Sequence, residues 1–262
     1  MAFTKDVKRI VFKVGTSTLT YPNGKTNIRR IGRLVKVLSD LKNSGKEIIL
    51  VTSGAIGVGV SKLNLRQKPV DIPGRQAAAT VGQCELMFLY DKLFSEYGHT
   101  IGQLLITRSD VDIEERKTNL ENSFEKLFEF DAIPVVNEND AVSVEEIEFG
   151  DNDSLSAIVA KLVNADALII LTDTDGLYDG DPREDPDARI IPSVDVIDDY
   201  IESIAGGSGT KFGTGGMVTK VHAAQFATQA GIDTVVMNGD RPDHIYDLLD
   251  GHQVGTFFKG RK

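Results

Sequence analysis

Phe149-Gly150-Asp151-Asn152-Asp153-Ser154-Leu155-Ser156-Ala157 reads as a turn that opens a helix. Gly150 supplies the bend, Asn152 and Asp153 are turn and cap residues, and Leu155, Ile158, Val159, Leu162 and Val163 follow at helical spacing. Such a start offers backbone N–H groups and the positive end of a helix dipole, both favourable to an anion. Asp151 and Asp153 belong beside an anion only if they orient cations, lysines or a metal ion, around a phosphoryl group. An Asx-rich helix cap accounts for the same residues without any ligand. The rest of the chain decides between the two.

Working outward, the helix stands between two strand-like runs. Upstream, Ala132-Ile133-Pro134-Val135-Val136 ends in the polar loop Asn137-Glu138-Asn139-Asp140, and residues 141–149 read as a short hairpin. Side chains of that kind at a strand's end suit an amino group and a carboxylate, although a solvated loop has the same composition. Downstream, Ala165-Asp166-Ala167-Leu168-Ile169-Ile170-Leu171 is a strand feeding Thr172-Asp173-Thr174-Asp175-Gly176-Leu177-Tyr178. The aspartate spacing has some likeness to a calcium loop, with Glu184 twelfth from Asp173. Pro182 and the buried strand ahead of it do not fit a helix–loop–helix hand.

Nearer the start, Arg9-Ile10-Val11-Phe12-Lys13-Val14 is a strand running into Gly15-Thr16-Ser17. A lysine in such a run is costly unless its ammonium reaches an anion or an open cleft at the strand's end. An edge strand with a snorkelling lysine is the alternative. Helical spacing marks 27–41, and Glu47-Ile48-Ile49-Leu50-Val51-Thr52 is a second buried strand leading into Ser53-Gly54-Ala55-Ile56-Gly57-Val58-Gly59. Strand, glycine turn and helix form an anion-binding geometry, but neither GxGxxG nor GxxxxGK[ST] is present. A long helix is expected over 73–97, a strand over 101–107 with a polar loop at 108–110, and an amphipathic helix over 119–130.

A helix over 195–204 precedes a glycine-rich segment from Gly206 to Met217, whose backbone can approach a polyphosphate closely. Lys220 stands one turn into the next helix as a point charge, which a mere connector does not require. Strands at 234–237 and 254–258 bracket a helix at 243–249. Strands alternating with helices imply an α/β chain whose mostly parallel sheet is covered on both faces.

Composition narrows the partners. The 262 residues carry 29 Lys and Arg against 39 Asp and Glu, a net charge of −10. That balance argues against nucleic acid and anionic membranes, so positive groups must be placed locally for any anionic substrate. Cys84 is the single cysteine, which excludes an internal disulfide and fits a reducing cytoplasm. The first residues lack the apolar core of a signal peptide, and no apolar run is long enough to span a bilayer.

Together, Phe12-Lys13-Val14-Gly15-Thr16-Ser17, Val51-Thr52-Ser53-Gly54-Ala55-Ile56, Asn137-Glu138-Asn139-Asp140, Gly150-Asp151-Asn152-Asp153, Leu171-Thr172-Asp173 and Gly213-Thr214-Gly215-Gly216-Met217-Val218-Thr219-Lys220 resemble the amino-acid kinase superfamily. Within it the resemblance is closest to the glutamate 5-kinase family, over the whole chain and in the same order. It implies a three-layer αβα sandwich forming one domain over 1–262, with a glutamate-binding part at about 1–164 and an ATP-binding part at about 165–262. The implied reaction is transfer of a phosphoryl group from MgATP to the side-chain carboxylate of L-glutamate.

By that resemblance Lys13 and Lys220 stabilise the phosphoryl group and Asp153 holds the two ammonium groups. Ser53, Gly54, Asp140 and Asn152 contact glutamate. Lys13, Gly15, Thr172, Asp173, Thr214, Gly215, Gly216, Met217 and Lys220 bind the nucleotide. Magnesium is expected on phosphate oxygens and water, with no protein ligand named. Proline is expected to compete at the glutamate site through Asp110 and the loop 137–148. Also implied are a homo-oligomer, dimer or tetramer, with helix 73–97 as its contact, and a hand-over of product to glutamyl phosphate reductase. Many members add a C-terminal RNA-binding-like PUA domain, and the resemblance is to the form without it. Rival readings on the same scaffold are a kinase for acetylglutamate, carbamate or a nucleoside monophosphate, and a non-catalytic ligand sensor.

Overall fold

The computed structural model describes residues 3, 7–21, 24–142, 152–206 and 216–261. The chain divides into two compact units. A flanking unit takes Met1–Lys13 with Gly150–Lys262, and an intervening unit takes Val14–Phe149. β1 (Arg9–Val14) carries the chain from the first into the second.

In the intervening unit α1 (Thr16–Leu19) and α2 (Ile28–Asn43) lead to β2 (Glu47–Val51), α3 (Ala55–Lys62) and α4 (Ile72–Ser95). β3 (Ile101–Ile106), α5 (Arg108–Asp112), α6 (Glu114–Glu129) and β4 (Ile133–Glu138) complete it. Its strands lie in the order β3-β4-β2, all parallel, with Leu50 opposite Val135 and Ile101 opposite Ile133. Apolar residues fill β2 and β4 almost without alternation, because helices cover a parallel sheet.

The flanking unit continues with α7 (Asn152–Leu162), β5 (Ala167–Thr172), β6 (Ser193–Val194), α8 (Asp199–Ala205), α9 (Met217–Gln229), β7 (Asp233–Asn238), α10 (His244–Leu249) and β8 (Thr256–Phe258). Its strand order is β1-β5-β7-β8-β6. β5 and β7 run parallel from Ala167 opposite Asp233 to Thr172 opposite Asn238, whereas β7 and β8 are antiparallel. Every residue of β5 is buried. Asp166 sits just before that strand and ties it to β1, its Oδ2 accepting from the backbone N–H of Lys8 and Arg9 at 2.9 and 2.8 Å.

Some expectations shift. The polar stretch at 108–110 is a helix, α5, because Thr107 and Asp110 form a reciprocal capping box. α6 begins at Glu114 rather than 119, since Glu114 and Glu115 suit a first turn. α8 begins at Asp199, set by the cap Asp198, whose carboxylate accepts from Ile201 N at 3.0 Å. β6, with two residues, is too short for any period to reveal. The expected hairpin lies almost wholly outside the described residues, as does 207–215 of the glycine-rich segment.

α3 and α4 pack backbone to backbone. A Cβ on Gly82 would sit 1.8 Å from the Ala55 carbonyl oxygen, and one on Gly59 would sit 1.7 Å from that of Ala78. Gly82→Ala is therefore expected to lower the thermal midpoint. Relieving a glycine in a helix gains about 1 kcal/mol, but overpacking against rigid backbone costs about 1–3 kcal/mol or more. A midpoint that rises on thermal unfolding would disprove so close a crossing.

Candidate active site

Lys13 is the fifth residue of β1, within its buried run, and its side chain is buried as well. Asp153 is in the first turn of α7, where a carboxylate is favoured by the helix dipole. Lys220 is in the first turn of α9, which starts after Gly216. α7 packs on α9, and the three side chains meet. Lys13 Nζ stands 2.6 Å from Asp153 Oδ1, and Lys220 Nζ stands 3.1 Å from Oδ2. Asp153 is fully buried, and the lysines are 5 % and 4 % exposed. Two cations share one anion, so the buried cluster keeps a net charge of about +1 for a further anion.

Thr219 completes it. Its hydroxyl lies 2.8 Å from Asp153 Oδ2 and 2.8 Å from Gly216 O, and donates its single proton between them. Lys220 Nζ also reaches Gly216 O at 3.3 Å. Burial alone would push Asp153 up. The ammonium charges of Lys13 and Lys220, with donors from Lys13 and Thr219, override it and hold the carboxyl below its ordinary value. The result is an aspartate ionised at neutral pH that fixes two ammonium groups.

In the intervening unit, Ser53 and Gly54 join β2 to α3, and Gly54 takes φ +90° as the N-cap of the helix. A β-carbon there would strain the left-handed backbone. Asp140 lies beyond β4, half-buried, and burial raises its carboxyl despite Lys68 and Arg75 nearby. Gly15 caps α1, two residues past Lys13. Asn152 opens α7 beside Asp153. Thr172 ends β5, buried, and its hydroxyl donates to Asp173 Oδ1 at 3.1 Å. Beyond the ends of β5 and β7 the flanking unit holds a cavity of about 680 Å³, bordered by Asp175, Asn238, Asp240, Arg241 and His244. Asn238 Nδ2 donates to Asp175 Oδ1 at 2.8 Å. Strand carboxyl ends are where α/β sheets place ligands.

A sequence profile of the amino acid kinase family matches residues 8–238. The chain belongs to the amino acid kinase family. Glutamate 5-kinase of Clostridium perfringens is 54 % identical to it, covering 98 % of this chain and 97 % of that protein. Glutamate 5-kinase of Listeria innocua is 53 % identical over 98 % of this chain and 95 % of its own. Among solved structures, carbamate kinase from Giardia lamblia bound to AMP-PNP superposes with a TM-score of 0.69 at 15 % identity, over 97 % of this chain and 98 % of that one. The fold of this amino acid kinase is thus the family's own, α/β with mostly parallel strands flanked by helices.

Of the residues expected at the site of this amino acid kinase, Lys13, Asp153 and Lys220 form one cluster. Gly216 caps the helix that carries Lys220, with Met217 as its first residue. Ser53, Gly54 and Asp140 stand in the intervening unit. Thr214 and Gly215 lie outside the described residues, as do Gly150 and Asp151. Thr219 escaped the sequence reading, although a threonine three residues after a glycine cap was a signal for it.

Proposed function

We propose that this amino acid kinase phosphorylates the side-chain carboxylate of L-glutamate with ATP, giving L-glutamyl 5-phosphate and ADP, the first step of proline biosynthesis. Full-length likeness above 50 % to glutamate 5-kinases supports the acceptor. The observation that carries the mechanism is the buried pair of ammonium groups held on Asp153.

Both reactants are anions, so catalysis consists of alignment and charge neutralisation. A glutamate carboxylate oxygen attacks the γ-phosphorus. The new O–P bond forms as the bridging O–P bond breaks, and its electron pair leaves on ADP. No proton moves, because the nucleophile is already ionised at neutral pH. Lys13 and Lys220 neutralise the equatorial oxygens in flight, and Asp153 and Thr219 fix where those charges sit. Thr172, Asp173, Gly15 and the segment 214–217 hold the nucleotide. Ser53, Gly54, Asp140 and Asn152 hold the amino acid.

A magnesium ion accompanying the nucleotide would supply further neutralisation in this reading, and no side chain is assigned to hold it. Both Asp153 oxygens are engaged by ammonium and hydroxyl groups. The described residues contain no group of three or more His, Cys, Asp or Glu arranged to hold an ion. No helix among them is long and apolar enough to cross a membrane. A cytoplasmic homo-oligomer, dimer or tetramer, completes the proposal; α4 exposes Phe88 as one apolar contact. A monomer mass by light scattering would remove that part. The labile acyl phosphate is suited to direct hand-over to a reductase.

The deciding experiment is ADP release with glutamate, acetylglutamate, carbamate and a nucleoside monophosphate as acceptors. Turnover is expected with glutamate, and turnover with another acceptor alone would overturn the assignment. Added proline is expected to raise the apparent KM for glutamate and leave the maximal rate; the reverse pattern would exclude competition.

Asp140 adds a pH signature. Its raised pKa means that the carboxylate facing an amino group is lost early as pH falls, so the KM for glutamate is expected to rise toward acid. In Asp140→Asn the KM is high at every pH and this limb vanishes. A limb that survives the substitution belongs to another group.

A further inference from the structure

One face of α4 braces the roots of both amino-acid loops within the intervening unit. Gln83, Leu86 and Tyr90 share a stripe at helical spacing, and all three are buried. Tyr90 OH lies 2.8 Å from Thr52 Oγ1, the residue before Ser53. Gln83 Oε1 accepts from Asn137 Nδ2 at 2.8 Å, and Asn137 Oδ1 accepts from Glu138 N at 2.9 Å, at the start of the loop that leads to Asp140. Gly82, next to Gln83, clamps α4 against the Ala55 backbone just past Gly54.

Gln83 itself is only half used. It is 8 % exposed, and its Nε2 is buried without a hydrogen-bond partner among the described residues. Buried amide donors are nearly always paired, and an exception calls for a role. A methionine or leucine would fill the same volume without that penalty. The amide N–H₂ is a neutral donor, suited to an oxygen of an anionic group and unsuited to an ammonium.

We propose that Gln83 determines glutamate affinity: its carbonyl oxygen locks Asn137, and its amide donates to a carboxylate oxygen of the bound amino acid. The proposal rests on the reading of the Ser53 and Asp140 loops as the amino-acid site. It makes Gln83 a specificity residue that the loop motifs do not contain.

Two variants separate its halves. Gln83→Met removes acceptor and donor at similar volume. Gln83→Glu keeps an acceptor for Asn137 and sets a negative charge where the donor was. Both are expected to raise the KM for glutamate, Gln83→Met by about tenfold or more, as for a lost hydrogen bond to a charged group. Gln83→Glu should do at least as much, because it repels a carboxylate. The KM for ATP should stay within about twofold, since loss of an acceptor contact leaves nucleotide binding alone. Retained ATP binding shows that a variant has folded. Wild-type glutamate KM in Gln83→Glu would overturn the donor role, and equal changes in both KM values would reduce Gln83 to a packing residue. Ser53→Ala and Asp140→Asn serve as controls. If they raise the KM for glutamate while the Gln83 variants do not, this inference alone fails. If they leave it unchanged, the amino-acid site lies elsewhere.

Discussion

Lys220→Ala is expected to cut kcat by about a thousandfold while moving the KM for glutamate by less than about threefold. The ammonium is buried, 3.1 Å from Asp153 Oδ2, so little water screens it. Removing one preorganised positive group from a transition state of this kind costs about 10²–10³ in rate. Lys220 is not among the residues proposed to hold glutamate (Ser53, Gly54, Asp140 and Asn152), so ground-state binding of the amino acid is expected to change little. The protein should still fold, because Asp153 keeps Lys13 at 2.6 Å and the local charge merely falls from about +1 to zero. Steady-state kinetics beside a thermal melt provide the check. An unchanged kcat would remove Lys220 from the chemistry, and an unfolded variant would make it structural.

The strands were legible because burial on both faces leaves a coarse signal. β2, β4, β5 and β7 each contain an unbroken run of at least three apolar residues, and each was found to within a few residues. Lys13 was legible for the opposite reason: a charge inside such a run needs an explanation, and Asp153 supplies it. What periodicity could not supply was the meeting itself. Asp153 and Lys220 lie 67 residues apart, and no local pattern says that α7 packs on α9. Only the resemblance named them as partners. Thr219 was hidden by its neighbour, since a hydroxyl beside a lysine looks like an ordinary cap residue. Gln83 was hidden by its setting, a helix whose small residues Ala77, Ala78 and Ala79 read as close packing. Its meaning depends on Asn137, 54 positions away.

Asp153→Asn should harm stability as well as rate, which distinguishes it from the lysine variant. The substitution keeps the shape of the side chain and removes the one negative charge between two buried ammonium groups, taking the local charge from about +1 to about +2. Removing one partner of a buried ion pair costs about 3–5 kcal/mol. Asp153 is fully buried, so solvent screening does not reduce that figure much. At about 2–4 °C per kcal/mol for a chain of this size, the midpoint should fall by about 6–20 °C. The pH dependence has a definite sign. Asp153 has a lowered pKa in the folded protein, so the unfolded chain binds more protons between that value and the ordinary carboxylate value of about 3.9. Its contribution is complete above the ordinary value and is lost as pH falls through the lowered one, an acid limb that the asparagine variant should lack. On the proposed reading ATP places its phosphates beside these ammonium groups, so it should raise the melting point of Asp153→Asn more than that of the parent protein. kcat should drop by about a hundredfold or more, because unsteered ammonium groups no longer match the phosphoryl oxygens. A variant that melts like the parent and turns over at its rate would show that Asp153 does not organise the two lysines.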